Sequence, residues 1–76
     1  MSAPLSAVTA ILADLTGARD ITAVTPLSSI TDSLGLVEIQ QAIADQLGVE
    51  VPDDVLGRVE IVADLVAAVE GGRRHD

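Results

Sequence analysis

The chain encodes an all-α protein, a small up-and-down four-helix bundle built from three main helices plus a short third one. Three observations lead there. Apolar residues recur three and four places apart in three separate stretches, the spacing that gathers side chains on one helical face. Each stretch is closed by glycine, and proline interrupts the connections between them. At 76 residues a single core is marginal, so packed helices are the economical arrangement.

The first helix covers about residues 4–16. Pro4 suits its opening position, because the N–H that proline lacks would be unpaired there, and Ser2 or Ala3 would be the cap. Leu5, Val8, Ile11, Leu12 and Leu15 follow at helical spacing until Gly17 ends the run. A long first loop comes next, rich in Thr, Ser and Asp. Pro26 forbids a regular helix through it and biases Thr25 toward an extended shape. Ile21, Val24, Leu27 and Ile30 are expected to act as anchors that pin this loop across the bundle.

The second helix spans about residues 33–47. Asp32 can cap it by accepting from a first-turn N–H, which leaves Ser33 in the first helical position with its hydroxyl outward, and Gly48 supplies the stop. Leu36, Ile39, Ile43 and Leu47 make a core stripe, with Gln40 intruding at its edge. Leu34, Val37, Glu38, Gln41 and Asp45 make the opposite stripe, and two readings fit it. Scattered aliphatics are ordinary on a protein surface. Equally, an apolar centre with an acidic rim beside a serine suits a docking face. Gly35 is out of place here, since a helical glycine costs about 1 kcal/mol relative to alanine. Either the first turn is frayed, or a bulky group must pass close to the backbone beside Ser33.

Val49 and Val51 are expected to tuck under the bundle, while Pro52 prevents the second helix from resuming. Asp53 or Asp54 can cap a single-turn third helix holding Val55 and Leu56 before Gly57 interrupts it. Val62, Leu65, Val66 and Val69 form the inner face of a last helix over about residues 61–70, ended by Gly71 and Gly72. Its start is poorly marked, because Ile61 stands where a cap residue belongs. The expected organisation is one domain over residues 1–70 and a disordered tail, GGRRHD, over 71–76.

Composition narrows the chemistry. With 49% hydrophobic residues and no aromatic ring, the core is aliphatic, and soft packing is expected; slow amide exchange throughout would contradict it. Without cysteine there is no disulfide, thiolate metal site or cysteine nucleophile. The net charge of −8 is concentrated in residues 32–70, which hold nine acids against Arg58 alone. A field of that sign repels phosphate backbones and attracts basic protein surfaces, so nucleic acid is not an expected partner. The opening MSAPLSAVTA lacks the basic stretch of a secretory signal, and no apolar run reaches membrane-span length. A soluble cytoplasmic monomer is the expectation, with no membrane contact.

Catalysis finds no support. Ser33 as a nucleophile would need a base within reach, yet the only histidine is His75 and there is no lysine. Asp53 and Asp54 lack calcium-loop spacing and any histidine ligand, so they read as a helix cap and a solvated neighbour, with no metal. Paired-carboxylate chemistry needs a cleft that so small a domain can hardly form. These absences point to a protein that is acted upon and is itself no enzyme.

Asp32-Ser33-Leu34 at a helix start, followed by GLVEIQQAIADQLGVEVPDD and later VADLV, resembles the acyl carrier protein family and its relatives, the peptidyl and aminoacyl carriers. The likeness runs without a gap from Asp32 to about Asp54 and resumes in the final helix. It implies a 4′-phosphopantetheine arm on Ser33, delivered from coenzyme A by a phosphopantetheinyl transferase acting close to Asp32. It also implies that Leu34, Val37, Glu38, Gln41 and Asp45 face partner enzymes that load and process the cargo through basic surfaces. Three departures stand out: Ile30 where many carriers have glycine, Leu47 in place of the usual aromatic, and Ile61 in place of a capping Ser or Thr. They set the chain apart from a typical fatty-acid carrier, and Gly35 resembles discrete carriers of specialised pathways. The expectation is a stand-alone acyl carrier of polyketide or other secondary metabolism. An aminoacyl carrier of a nonribosomal-peptide pathway is the near alternative. An acidic helical adaptor or inhibitor without any prosthetic group is the alternative of another class.

Overall fold

A computed structural model describes residues 3–74. Four helices carry the chain: α1 (Ala3–Thr16), α2 (Ser33–Leu47), α3 (Asp53–Leu56) and α4 (Val62–Gly71). One 3-10 turn, Leu27–Ser29, lies in the long loop, and two short strands, β1 (Val49–Glu50) and β2 (Arg73–Arg74), pair antiparallel. The all-α bundle expected from the sequence is the architecture observed. Of the two caps expected, Ser2 lies outside the described residues and Ala3 is already part of α1, which it opens.

The core is entirely aliphatic. Val8, Ile11 and Leu12 of α1 meet Ile39 and Ile43 of α2 and Val62, Leu65, Val66 and Val69 of α4, and no polar side chain is buried among the described residues. Val49 and Val51 are buried beneath the bundle, as expected. Leu15, assigned to the inner run of α1, is 43% exposed instead; it lies in the last turn of the helix, next to the loop. Gly17 and Gly48 both end helices in the left-handed conformation, at φ 72° and 66°. Their N–H groups return to Ala13 O and Ala44 O, which is how a glycine stop satisfies the last carbonyls.

The long loop is held by backbone as well as by side chains. Pro26 and Ile61 form an isolated antiparallel bridge. Around it, Leu27 N–H donates to Glu60 O at 2.8 Å, Val62 N–H to Thr25 O at 3.0 Å and Ala63 N–H to Ala23 O at 2.7 Å. Leu27 is the true anchor, only 2% exposed, while Ile21 and Ile30 pack at the margin of the core. Val24 corrects the expectation. It is 72% exposed, because its stretch lies against the α4 entrance through backbone groups and turns the side chain out.

One helix start differs from expectation, and another, with Ile61 at the cap position as the sequence implied, finds its acceptor elsewhere. At α3 the cap position falls on Pro52, so Asp53 and Asp54 occupy the first turn, where their charge faces the positive end of the helix. At α4 the cap position is Ile61, whose side chain has no acceptor; Asp64 compensates from within the helix. Its Oδ2 accepts from Ile61 N–H at 3.1 Å and from Glu60 N–H at 3.0 Å. These bonds, to Ile61 first and then Glu60, hold the Asp64 carboxyl below its ordinary range against a smaller opposing effect of desolvation.

The tail has a place in the fold over part of its length. Gly71 closes α4, and Arg73–Arg74 lie opposite Glu50 and Val49. Residues 71–74 thus close α4 and pair with β1, whose backbone groups the chain meets there. A side chain on Gly72 would stand 2.6 Å from Val49 Cγ1 and 2.9 Å from Glu50 O, so the absent side chain is what lets the chain pass. His75 and Asp76 lie outside the described residues.

Candidate functional site

Ser33 opens α2 and is exposed to solvent. Asp32 precedes it in extended backbone, and its Oδ1 accepts from Gly35 N–H at 2.8 Å, the cap that the sequence implied. Leu36 N–H then closes the first helical bond on Asp32 O at 3.0 Å. Helix geometry leaves the first N–H groups without intrahelical partners, so the serine hydroxyl sits at the positive end of a 15-residue helix.

Two open clefts meet at this serine, and both include Leu36. The larger, about 540 Å³, runs between the long loop and the entrance of α4; Pro26, Leu27 and Thr31 face Val59, Glu60 and Ile61 across it. The smaller, about 350 Å³, runs between α2 and α3, with Val37, Gln40, Asp53, Leu56 and Gly57 on its walls. The loop and the α4 entrance were not foreseen as neighbours of Ser33. Their proximity depends on the bridge between Pro26 and Ile61, which no local pattern encodes.

The outer stripe of α2 is as exposed as its spacing implied. Leu34 is 71% and Val37 42% exposed, and Glu38, Gln41 and Asp45 all face solvent. Arg58, the lone cation of the acidic stretch, is engaged with Asp54 at 3.7 Å, and no ion pair joins the α2 acids among the described residues. Gln40, noted only as an intruder at the edge of the core stripe, makes two bonds across the molecule. Its Nε2 donates to Val51 O at 2.6 Å and to Asp53 Oδ1 at 2.8 Å. A polar residue set into an apolar stripe was the signal for it.

Gly35 acquires a reason that neither expectation contained. A Cβ at this position would collide with Thr31 Oγ1 and stand 3.3 Å from Asp32 Oδ1. The bare backbone makes room for Thr31 and for the capping Asp32.

Over residues 6–69 the chain matches the family described as Phosphopantetheine attachment site. It belongs to that family, the acyl- and peptidyl-carrier lineage that its residues resembled. Domains of this family carry 4′-phosphopantetheine covalently on a serine, are generally non-catalytic, and are modified by phosphopantetheinyl transferases before working with partner enzymes. No curated protein matches the chain. No helix among the described residues is long and apolar enough to cross a membrane.

The residues at the start of α2 fit such a group. A phosphodiester on Ser33 would lie in solvent at the positive end of the helix, clear of any buried side chain, with Gly35 N–H already taken by Asp32 and an open cleft on either side.

Proposed function

We propose that Ser33 is the serine that takes 4′-phosphopantetheine, and that the chain holds acyl intermediates and presents them to successive enzymes of polyketide or other secondary-metabolite assembly. One observation carries the choice of serine. Among Ser6, Ser28, Ser29 and Ser33 in the matched region, only Ser33 begins a long capped helix. Ser6 lies within α1, Ser28 and Ser29 belong to the 3-10 turn, and Ser29 Oγ already donates to Pro26 O at 2.6 Å.

When bound, the group supplies a flexible arm whose terminal thiol holds cargo as a thioester. The protein supplies the rest. Asp32 fixes the first turn and so the direction in which Ser33 projects. Leu34 and Val37 offer a small apolar centre, and Glu38, Gln41 and Asp45 a polar rim. An acidic rim raises the encounter rate with basic enzymes without demanding a tight complex, which suits a carrier that must leave each one. The departures at Ile30 and Leu47 support a place outside fatty-acid synthesis. Gly35 has a local steric reason and no longer bears on the cargo.

The test is intact mass after incubation with coenzyme A and a broad-specificity phosphopantetheinyl transferase. One arm is expected on the native chain and none on Ser33→Ala. An unmodified native chain, or an addition that persists in the variant, would overturn the reading. The activating enzyme that then charges the thiol separates acyl from aminoacyl cargo.

A further inference from the structure

The two clefts beside Ser33 differ in what crosses them. In the one between the loop and the entrance of α4, the facing walls are tied at their base by backbone, Leu27 N–H donating to Glu60 O, and no side-chain hydrogen bond crosses among the described residues. The other is spanned by a side chain. There the Gln40 amide reaches from α2 to Val51 O and to Asp53 Oδ1, engaging both of its N–H bonds at once. A chain entering the bundle between α2 and α3 would have to part these bonds, the inner of which, to Val51 O, is partly buried and costs free energy to leave unmade. Behind the amide stands the aliphatic core. Ile39, Ile43 and Val51 are 1%, 0% and 0% exposed and pack in one continuous cluster.

We propose that Gln40 decides where the cargo sits. By tying α2 to the segment entering α3 it keeps the interior shut, so that an acyl chain hung from Ser33 lies outside, along the cleft walled by Leu27, Val59 and Ile61. The inference rests on Ser33 being the point of attachment. It assigns the protein to cargo that tolerates water, short or polar acyl groups, and makes a long saturated chain a poor client because its apolar surface stays exposed.

The absence of cysteine permits a test that needs no transferase. Ser33→Cys presents a single thiol, to be alkylated with an iodoacetamide carrying an octyl tail on a flexible linker of roughly the arm's length. Nuclear Overhauser contacts from the tail to protein methyl groups then locate it. With Gln40 in place, contacts are expected to Leu27, Val59 and Ile61 and none to Ile43 or Val51. In Ser33→Cys with Gln40→Ala, contacts to Ile43 and Val51 should emerge. Core contacts with Gln40 present, or a tail touching neither set, would overturn the proposal, and so would a folded Gln40→Ala variant whose tail stays out of the core. Should that variant fail to fold, the Gln40 protein decides alone. Failure of the carrier reading shows separately, as a native chain that gains no mass from coenzyme A.

Discussion

Replacing Gly35 with alanine sets a gain in helix propensity against a collision inside the cap. Alanine is favoured over glycine in a helix by about 1 kcal/mol. Against that, the new Cβ meets Thr31 Oγ1 head on and stands 3.3 Å from both Thr31 Cβ and Asp32 Oδ1. Relief requires Thr31 to rotate or Asp32 to withdraw from Gly35 N–H, and a lost cap costs about 1 kcal/mol. With steric strain added, Gly35→Ala is expected to destabilise the native chain by about 1 kcal/mol, a fall in Tm of roughly 4–8 °C at this size. In a Thr31→Ala background the principal obstacle is gone, and the same substitution should be neutral or slightly stabilising. The coupling in the four-member cycle is therefore about 1 kcal/mol or more. Far-UV circular dichroism is the probe, because a chain without aromatic residues has no intrinsic fluorescence to follow. Stabilisation by Gly35→Ala alone, or effects that add within about 0.5 kcal/mol, would refute the steric account.

Leu27→Ala should cost about 2–5 kcal/mol, since it empties a fully buried anchor of the loop, and chemical denaturation will show whether the fold survives. Asp64 carries a pH signature. Its folded-state pKa lies below the ordinary 3.8, so its stabilisation is complete above that value and fades as pH falls through the lower folded-state pKa. Asp64→Asn should flatten this part of the acid limb of a stability-against-pH curve; an unchanged limb contradicts the assignment. Glu38→Arg and Asp45→Arg should slow transfer to partner enzymes at low ionic strength, with the gap narrowing as salt rises, while the circular dichroism spectrum is kept. Equal rates at low salt count against the docking face.

The second helix was almost wholly readable because its punctuation is local. Asp32 and Gly48 sit next to the residues they serve, and the observed bounds are those their chemistry dictates. The start of α4 was obscure for the opposite reason. The acceptor that serves it is not at Ile61 but inside the helix, at Asp64, where an acid reads as ordinary surface. Val24 and Leu27 are three apart in one loop, yet one is exposed and the other buried, because backbone pairing with residues 60–63 sets the path of the chain there. Pairings that join residues distant in sequence leave no periodic trace, and the ladder of Arg73–Arg74 on Val49–Glu50 escaped for that reason as well. The start of α2 was legible to the residue, whereas its surroundings were not.

The bridge between Pro26 and Ile61 bears on when the region around Ser33 comes into being. The cap of α2 is made by its immediate neighbours, but the far wall of the larger cleft is Val59, Glu60 and Ile61, which leave the ribosome well after the serine. Closing so long a stretch of chain is entropically opposed, and it is secured where the α4 entrance meets the loop, by Leu27 N–H to Glu60 O and Val62 N–H to Thr25 O. The serine is therefore synthesised before the far wall of its groove, and the groove is complete only once residues 59–61 are in place.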